Sequence, residues 1–355
     1  MYRAPADLAV GVHLDRGEFA VPLTFQVLGQ AEQDNALFVK VDTGQAQTRL
    51  LFDCGDGCPH QLGPADLREV DHLCFSHLHM DHIAGFDLFF RLNFDRTAKE
   101  NRIWVPHGSA EVIQHRFRGF LWNLVDEKQE GEWFVSEIGP DAVREARFLA
   151  KEGFRTAHTA PERTRQGRTV IEGEGFTVEA TLLDHGTPSV GYLVREMDRV
   201  NVDTAKLTAK GLKPGPWVKR LRGPSAAPGE TVEIDGVSHS LGALQTELLV
   251  TTPGDSIAYL TDFRMTPATA DALVSWLRGV NTVVCESQYR AADSDLAEPV
   301  MHSTTEEVAL MASRAGIGRL ILFHFSGRYD AIARREMLAE ARAVFANTTF
   351  PDGWA

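Results

Sequence analysis

Three histidines and one aspartate lie within six residues, in the segment His77-Leu78-His79-Met80-Asp81-His82. Imidazole and carboxylate groups without a thiolate suit a catalytic divalent metal such as zinc, with one position left open for water. Residues two apart in an extended backbone point the same way, so His77 and His79 are predicted to bind one ion together. Asp81 and His82 follow as the chain turns and are predicted to face a second ion. The alternative, a few surface histidines near a loop, does not explain so dense a group.

The elements on either side of this motif must position its side chains. Val70–Phe75 is predicted to be a short buried strand and Ile83–Asn93 an apolar-faced helix. The motif therefore lies on a strand-to-helix turn, where side chains converge without a continuous ladder. This arrangement resembles the signature of the metallo-β-lactamase superfamily. The resemblance implies an α/β fold, the αββα sandwich, in which two packed mixed sheets have helices outside.

Three further donors come much later in the chain, each at the end of an apolar strand. The predicted pairs are Phe176–Leu183 with His185, Ile257–Leu260 with Asp262, and Leu320–Phe323 with His324. Taken singly, each is equally an ordinary end-of-strand side chain, but together they complete the donors that two metals need. The predicted sets are His77, His79 and His185 for the first ion, Asp81, His82 and His324 for the second, and Asp262 bridging both. A hydroxide between the ions is the expected nucleophile.

Composition limits the class of protein. With 355 residues and 43% hydrophobic content, the chain can bury the core of one large α/β domain or two smaller ones. The formal charge is -13, from 36 basic and 49 acidic residues. Such a molecule repels polyanions at long range, which argues against a protein that coats nucleic acid but leaves room for a local basic patch.

The chain shows no sign of secretion or membrane insertion. The segment Met1–Pro5 does not begin an apolar signal core, and no apolar run approaches a membrane span. The four cysteines are too few for a disulfide framework: Cys54, Cys58, Cys74 and Cys285. No second pair completes a zinc site with Cys54 and Cys58, so small packed thiols are expected. We predict a soluble, cytoplasmic protein.

Other segments differ in how regular their patterns are. Further strands are predicted at Leu23–Leu28, Ala36–Val41, Thr48–Phe52, Ile103–Pro106, Leu248–Thr251 and Thr282–Cys285. Residues 144–168 carry seven Arg or Lys without clear periodicity and are predicted to form an exposed insertion.

Residues 198–244 are predicted to form a projecting arm, because the prolines within 211–216 fix φ and remove backbone hydrogen-bond donors. Trp217 is expected to pack on the arm's own apolar residues.

The arm is locally basic. Between Thr204 and Gly223 there are six basic residues and no acidic one. They are Lys206, Lys210, Lys213, Lys219, Arg220 and Arg222. Because screening at physiological salt acts over about 8 Å, a polyanion would feel such an arm largely apart from the acidic body.

Several motifs from about residue 23 to the end resemble the ribonuclease Z family of tRNA 3′-processing endonucleases. They are Leu51–Gly57 before the metal loop, Leu183–Tyr192, Pro214–Pro216 in the arm, Cys285-Glu286-Ser287, His302-Ser303-Thr304 and His324–Tyr329. The resemblance implies one domain over residues 1–355 with the arm inserted, two Zn²⁺ ions (Mn²⁺ or Fe²⁺ as alternatives), precursor tRNA as substrate, and a homodimer.

The same resemblance suggests roles for residues outside the metal sets. His302 precedes Ser303-Thr304-Thr305-Glu306, a capping-box pattern that opens a helix. A helix N-terminus disfavours imidazolium, so an acid there needs a carboxylate, and Glu286 is the implied partner. Arg328 would bind the scissile phosphate through its planar fork. The predicted catalytic residues are therefore Asp81, His302 and Glu286, and the predicted substrate-binding residues are Arg328, Lys213, Lys219 and Arg220. The alternative for His302 is a simple helix-flanking residue.

Two departures from the family pattern concern the substrate. Asp34 stands where an arginine would meet RNA, and Cys285 replaces a histidine. Asp34 and the net charge favour an alternative function, hydrolysis of a small phosphodiester, ester or lactone. The basic arm and Arg328 favour precursor tRNA. A non-catalytic scaffold is the third alternative, and the intact donor sets count against it.

Overall fold

The computed structural model describes residues 23–44, 46–221, 223 and 225–354. The Met1–Pro5 segment and Arg222 of the predicted basic arm lie outside these residues. Within them, no helix combines the length and apolar character needed to cross a membrane.

The first sheet is built from the N-terminal half of the described chain. Its strands are β1 (Leu23–Gly29), β2 (Asn35–Asp42), β3 (Gln47–Phe52), β4 (His72–Cys74), β5 (Asn101–Pro106), β6 (Glu132–Ile138), β7 (Ala142–Leu149), β8 (His158–Thr159) and β9 (Arg163–Thr164). Strands β1 to β8 are neighbours in chain order, and β9 pairs with β7. The helices of this half are α1 (Pro64–Arg68), α2 (Met80–Ile83), α3 (Phe86–Asn93) and α4 (Ala110–Phe117).

Strand direction in this sheet places the metal motif. Strands β1, β2 and β3 form an antiparallel meander, as the glycine-punctuated pattern predicts. Strands β3, β4, β5 and β6 are parallel. Their carboxyl ends therefore lie at one edge of the sheet, where the segment after β4 carries the histidines.

Part of the predicted exposed insertion over residues 144–168 belongs to this sheet, so that prediction is wrong there. Strand β7 pairs antiparallel with β6 along its length. Arg144 and Arg147 are exposed, whereas Val143, Ala146 and Phe148 between and beside them are buried. Because successive side chains alternate between the two faces of a strand, the two arginines lie on opposite faces of β7, and each face also carries buried side chains.

The second sheet comes from the C-terminal half. Its strands are β10 (Thr169–Gly173), β11 (Phe176–Asp184), β12 (Pro188–Glu196), β17 (Ser256–Leu260), β18 (Thr282–Glu286), β19 (Arg319–Phe323) and β20 (Thr348–Thr349), in this spatial order. The pairs from β10 to β17 are antiparallel, and those from β17 to β20 are parallel. The helices α8 (Pro267–Trp276), α10 (Thr305–Ala315) and α11 (Ala331–Val344) connect and follow these strands.

The core lies in two layers. Between the sheets, the ring of Phe52 packs against Tyr192 and Tyr259, with centroids 5.3 and 6.0 Å apart. On the outer face of the first sheet, Phe86 and Phe117 from α3 and α4 pack with their centroids 6.0 Å apart. Helices α8, α10 and α11 contribute buried side chains to the cluster around the second sheet. The molecule has the predicted αββα arrangement.

Residues between β12 and β17 are more regular than predicted. They form β13 (Arg199–Val202), α5 (Thr204–Ala209), α6 (Trp217–Leu221), β14 (Thr231–Ile234), β15 (Val237–Ser240), α7 (Leu241–Leu248) and β16 (Leu249–Thr252). Strand β13 pairs with β16 at the base, and β14 with β15 as a hairpin. The predicted core strand Leu248–Thr251 is thus part of this unit, which we call the arm. Its elements are too short to produce a clear periodicity in the sequence.

The arm has its own hydrophobic cluster, which includes Leu207, Trp217, Leu221, Val232, Ile234, Leu241, Leu244 and Leu248. Trp217 therefore packs on the arm's own apolar residues, as predicted. Gly211–Pro216 connects α5 and α6 without regular structure, as its prolines require. All four cysteines are buried and free, in agreement with the expectation of packed thiols.

Candidate metal centre

The ends of strands from both sheets meet at one place. Asp53 follows β3, and the histidine motif follows β4. In the second sheet, His185 follows β11, Asp262 lies two residues after β17, and His324 follows β19. Because β17 and β19 point the same way, the turns that follow them lie at the same edge.

The backbone turns abruptly at these strand ends. Asp53, Asp262 and His324 have φ of 59°, 51° and 56°, and Met301 nearby has 58°. These are four of the six non-glycine residues with positive φ in the described part of the chain. Each left-handed residue costs about 1–3 kcal/mol, and such strain concentrates at functional sites. The turns aim these side chains across the sheet edge instead of along the strands.

One group of donors consists of His77, His79, His185 and Asp262. Their ligand atoms all lie within 4.8 Å of one another. The Nε2 atoms of His77 and His185 are each 3.5 Å from Oδ2 of Asp262. The sequence-predicted first set is therefore brought together, with Asp262 beside it.

A second group consists of Asp81, His82, Asp262 and His324, again with ligand atoms within 4.8 Å. Asp81 Oδ2 lies 3.3 Å from His82 Nε2 and 3.5 Å from His324 Nε2. Asp262 Oδ1 lies 3.4 Å from His324 Nε2, and its Oδ2 lies 3.4 Å from His82 Nε2. Asp262 is shared by both groups, at the position from which a carboxylate can bridge two ions.

The donors fit divalent metal ions. His77 Nε2 and His82 Nε2 are buried and have no hydrogen-bond partner among the described residues. An unsatisfied buried donor or acceptor costs about 1–3 kcal/mol, so these atoms need a ligand. Donors about 2.0–2.2 Å from a shared ion lie roughly 3.4 Å apart in tetrahedral geometry, close to the separations seen here.

Electrostatics favours the metal-binding protonation states of His77, His79 and Asp81, whereas at His82 and His324 the effect of burial is outweighed by the Asp262 carboxylate, which raises the pKa of both imidazoles. Burial lowers the pKa of His77 to about 2 and also lowers the pKa of His79, so both imidazoles are neutral at pH 7. Burial opposes ionisation of Asp81, but the imidazoles of His324 and His82, at 3.5 and 3.3 Å, hold its pKa well below the ordinary value. Neutral imidazole and ionised carboxylate are the metal-binding forms.

Asp53 supports the centre although it is not a predicted ligand. Its fully buried carboxylate accepts hydrogen bonds from His82 Nδ1 at 2.8 Å and from Tyr259 at 2.9 Å. The backbone N–H and hydroxyl of Ser76 donate to it at 2.7 Å. Such a partner fixes the ring orientation and tautomer of the histidine. The missed signal was an aspartate directly after the apolar strand β3, the same pattern that identifies Asp262 and His324.

Two other histidines are held by different groups. His185 Nδ1 lies 3.0 Å from the carbonyl oxygen of Met301, to which it can donate. His77 Nδ1 lies 3.1 Å from the Ser76 hydroxyl. Each contact leaves Nε2 facing the centre of its donor group.

The predicted pair of Glu286 and His302 is in contact. His302 Nδ1 lies 2.9 Å from Glu286 Oε2, and the other carboxylate oxygen accepts from the N–H of Phe263 at 2.7 Å. The His302 ring lies 4.7 Å from that of His185 and 5.7 Å from that of His324, between centroids. His302 is therefore more than a helix-flanking residue.

The local details of this region differ from the sequence prediction. The capping box is formed by Thr304 and Glu307, one residue later than predicted. Cys285 alternates with Glu286 on β18 and is buried in the hydrophobic cluster around the second sheet. Its replacement of the family histidine therefore leaves the Glu286–His302 contact intact.

The arm is less basic in the fold than in the sequence. Lys206 pairs with Asp203 at 3.7 Å, Lys210 pairs with Glu247, and Arg220 pairs with Glu230 at 2.9 Å. From β13 to β16 the chain contains seven basic and five acidic residues. The predicted six-residue excess is thus largely neutralised, because folding brings acids from outside 204–223 against it. Lys213 and Lys219 are exposed and have no ion pair within the described residues.

Asp34 has a structural contact beside the site. Its carboxylate accepts from the backbone N–H of Asp56 at 2.8 Å. A Cβ added to Gly55 would lie 2.5 Å from Asp34 Cβ and 2.6 Å from the carbonyl oxygen of Asp81, so only glycine fits there. The aspartate thus fastens the turn after β3 against the metal motif.

Known proteins resemble this chain over most of its length. Ribonuclease Z of Deinococcus radiodurans is 46% identical over 94% of this chain and 98% of the relative. Ribonuclease Z of Geobacillus kaustophilus is 30% identical over 86% and 87%. Residues 24–174 also match the family model described as anti-Pycsar protein Apyc1.

Solved structures agree on the fold. The metallo-β-lactamase fold protein YhfI of Bacillus subtilis aligns with a TM-score of 0.55 at 14% identity, covering 93% of this chain and 96% of that one. The short form of human tRNase Z aligns with a TM-score of 0.50 at 16% identity, over 93% and 97%. Yeast PDE1 gives 0.53 at 12% identity, over 94% and 97%.

Proposed function

Because this chain belongs to the ribonuclease Z family, we propose that it is a metal-dependent endonuclease that cleaves the 3′ trailer from precursor tRNA. The observation that carries the proposal is the pair of donor groups sharing Asp262, with the Glu286–His302 pair beside them. The donors suit hydrolysis at phosphorus, and a separate acid beside them suits a poor leaving group. Such an enzyme acts on RNA in the cytoplasm, the location predicted from the sequence.

The proposed cofactors are two Zn²⁺ ions, with Mn²⁺ or Fe²⁺ as alternatives. His77, His79 and His185 would hold one ion, Asp81, His82 and His324 the other, and Asp262 both. Bound divalent ions would supply a water nucleophile of lowered pKa and neutralise charge on the phosphate. The side chain of Asp81 is 45% exposed, so substrate and water can reach this face of the centre.

The remaining residues act on the substrate. Glu286 is fully buried and holds Nδ1 of His302, which leaves Nε2 of His302 to deliver a proton to the leaving oxygen. Arg328, which is exposed, would bind the scissile phosphate. Lys213, Lys219 and Arg220 of the arm would contact phosphates farther along the RNA, with Arg220 the weakest of them because Glu230 already pairs with it.

A second candidate function is hydrolysis of a small phosphodiester. The largely neutralised arm, the acidic net charge of the chain and Asp34 beside the site favour it. The same centre would serve both substrates, since it contacts only the phosphate and its neighbours. Esters and lactones are less favoured, because the Glu286–His302 acid and Arg328 suit a phosphodiester better.

The deciding assay measures precursor tRNA and a chromogenic phosphodiester on one preparation. We expect the wild-type protein to cleave precursor tRNA at the 3′ end of the mature tRNA. Asp262→Ala should lose both this cleavage and hydrolysis of the chromogenic phosphodiester. Metal analysis of both proteins should show the loss of bound metal in the variant. Cleavage of the small substrate with intact precursor tRNA would favour the second candidate. Full activity of metal-free Asp262→Ala would contradict both.

A further inference from the structure

Arg328 has an unusual environment for an arginine near a catalytic centre. Its side chain is exposed, and it makes no ion pair or side-chain hydrogen bond with any described residue. Its guanidinium carbon lies 5.2 Å from the ring centroid of Tyr289, and the Asp293 carboxylate is an electrostatic neighbour of the guanidinium. A free guanidinium can still bind a phosphate, but a long exposed side chain must first be ordered.

The ring of Tyr289 is itself held in place. Tyr289 is 6% exposed. Its carbonyl oxygen accepts hydrogen bonds from the N–H and the hydroxyl of Thr305, at 2.8 and 3.0 Å. These bonds fasten the segment after β18 to the first turn of α10. Tyr289 is thus a fixed surface, against which the exposed side chain of Arg328 lies.

The same ring lies beside the proposed general acid. The centroids of the Tyr289 and His302 rings are 6.3 Å apart. Tyr289 therefore touches both groups that would act on the scissile phosphate and its leaving oxygen. Its phenolic oxygen has no recorded hydrogen bond in the described part of the chain, so the ring face is the functional feature.

We infer that Tyr289 is a positioning residue, whose aromatic face holds the guanidinium of Arg328 by a cation–π contact. This inference rests on the proposed role of Arg328 in binding phosphate. Because the Tyr289 ring has already ordered the guanidinium, Arg328 loses less rotamer freedom when it binds the phosphate. The hydroxyl of Tyr289 is dispensable in this role, and the ring is not.

A double-mutant cycle on the chromogenic phosphodiester tests the inference. Tyr289→Leu should lower kcat/KM by roughly 2- to 30-fold, the range expected from a cation–π contact. Tyr289→Phe should keep the wild-type value. In an Arg328→Ala background, Tyr289→Leu should have no further effect, because the contact is already absent. Tyr289→Met serves as a second non-aromatic variant if Tyr289→Leu does not fold.

An equal loss from Tyr289→Leu in both backgrounds would overturn the inference, and so would an equal loss from Tyr289→Phe. NMR of the Arg328 side chain tests the contact with Tyr289 without relying on enzyme activity. In protein labelled with ¹⁵N-arginine, the Arg328 Nε–H signal, assigned by its absence in Arg328→Lys, should carry a ring-current shift in wild type and Tyr289→Phe. The shift should disappear in Tyr289→Leu, and its persistence there would refute the contact. Failure of the proposed function appears separately, as intact precursor tRNA in the wild-type assay.

Discussion

At the scale of single residues, His302 belongs to neither of the donor groups that share Asp262, and the buried carboxylate of Glu286 holds it beside them. Removing a positioned general acid costs roughly 10²–10⁴-fold in rate. We therefore expect His302→Ala to lose activity in that range on precursor tRNA while keeping its metal, as measured by metal analysis of the purified variant.

The leaving group provides the control for this assignment. p-Nitrophenolate leaves without a proton, so a substrate carrying it should lose much less activity in His302→Ala. An equal loss with both leaving groups would mean that His302 has a different role.

The carboxylate of Asp53 is a second single-residue feature, because it accepts hydrogen bonds from His82, Ser76 and Tyr259. Asp53→Asn removes the charge that supports the His82 imidazole. We expect metal affinity to fall about 10- to 100-fold, the usual effect of losing such a partner. Competition with a chromogenic chelator measures the change.

The matched control is Asp34→Asn, which changes another carboxylate beside the centre. Asp34 bonds to the backbone N–H of Asp56 and to none of the donors. We expect metal affinity to stay at the wild-type level. Equal weakening in the two variants would point to a general effect of charge near the site.

At the scale of elements, the arm decides between a large and a small substrate. Replacing residues 204–223 by a flexible link would also remove Leu207, Trp217 and Leu221 from the arm's hydrophobic cluster. Point variants that keep this cluster are therefore the sharper test. Among the arm residues that the structure describes, Lys213 and Lys219 are the exposed cations without ion pairs, so they are the best candidates for phosphate contacts.

We expect the double variant Lys213→Ala/Lys219→Ala to bind precursor tRNA more weakly and to spare the chromogenic phosphodiester. Each lost phosphate contact should reduce the log–log salt slope by about 0.7–0.9. The control is Lys206→Ala/Lys210→Ala, which removes the same charge from ion-paired positions and should change the slope less. Unchanged cleavage of precursor tRNA by Lys213→Ala/Lys219→Ala would mean that these arm lysines do not bind the substrate, and would favour the small phosphodiester.

At the scale of the whole molecule, the metal centre lies where the two sheets meet, so its occupancy should affect global stability. Metal bound only to the folded state stabilises it by RT ln(1 + [L]/Kd), which is about 4 kcal/mol at a thousandfold excess over Kd. Removing metal with a chelator should lower the Tm, and adding Zn²⁺ should restore it.

Asp262→Ala should show little response to the chelator, since it lacks the shared donor. An unchanged Tm in the wild-type protein after proven metal loss would mean that the ions bind the unfolded chain as well as the folded protein. The predicted homodimer stays a prediction, and light scattering of the same samples measures it.

The sequence by itself determined the donors, because their chemistry is local. A dense histidine motif and acids or imidazoles after apolar strands can be found without knowing where the strands go. The meander β1–β3 also follows from apolar patterning and turn residues, whereas the mixed sheets were expected from the family resemblance. The Glu286–His302 pair, by contrast, was predicted through the resemblance of its motifs to those of the ribonuclease Z family.

Only the tertiary structure decided which charges are free and which carboxylates support the centre. The ion pairs of Lys206, Lys210 and Arg220 join residues whose proximity depends on how the short arm elements pack. Asp53 meets His82 and Tyr259 across two sheets, and Tyr289 meets Arg328 across two turns. Such contacts arise between segments far apart in the chain, and residue type carries no information about them. Tertiary packing decides which distant residues pair with one another. The candidate metal donors could therefore be predicted from the sequence, whereas the residues that hold those donors in place could not.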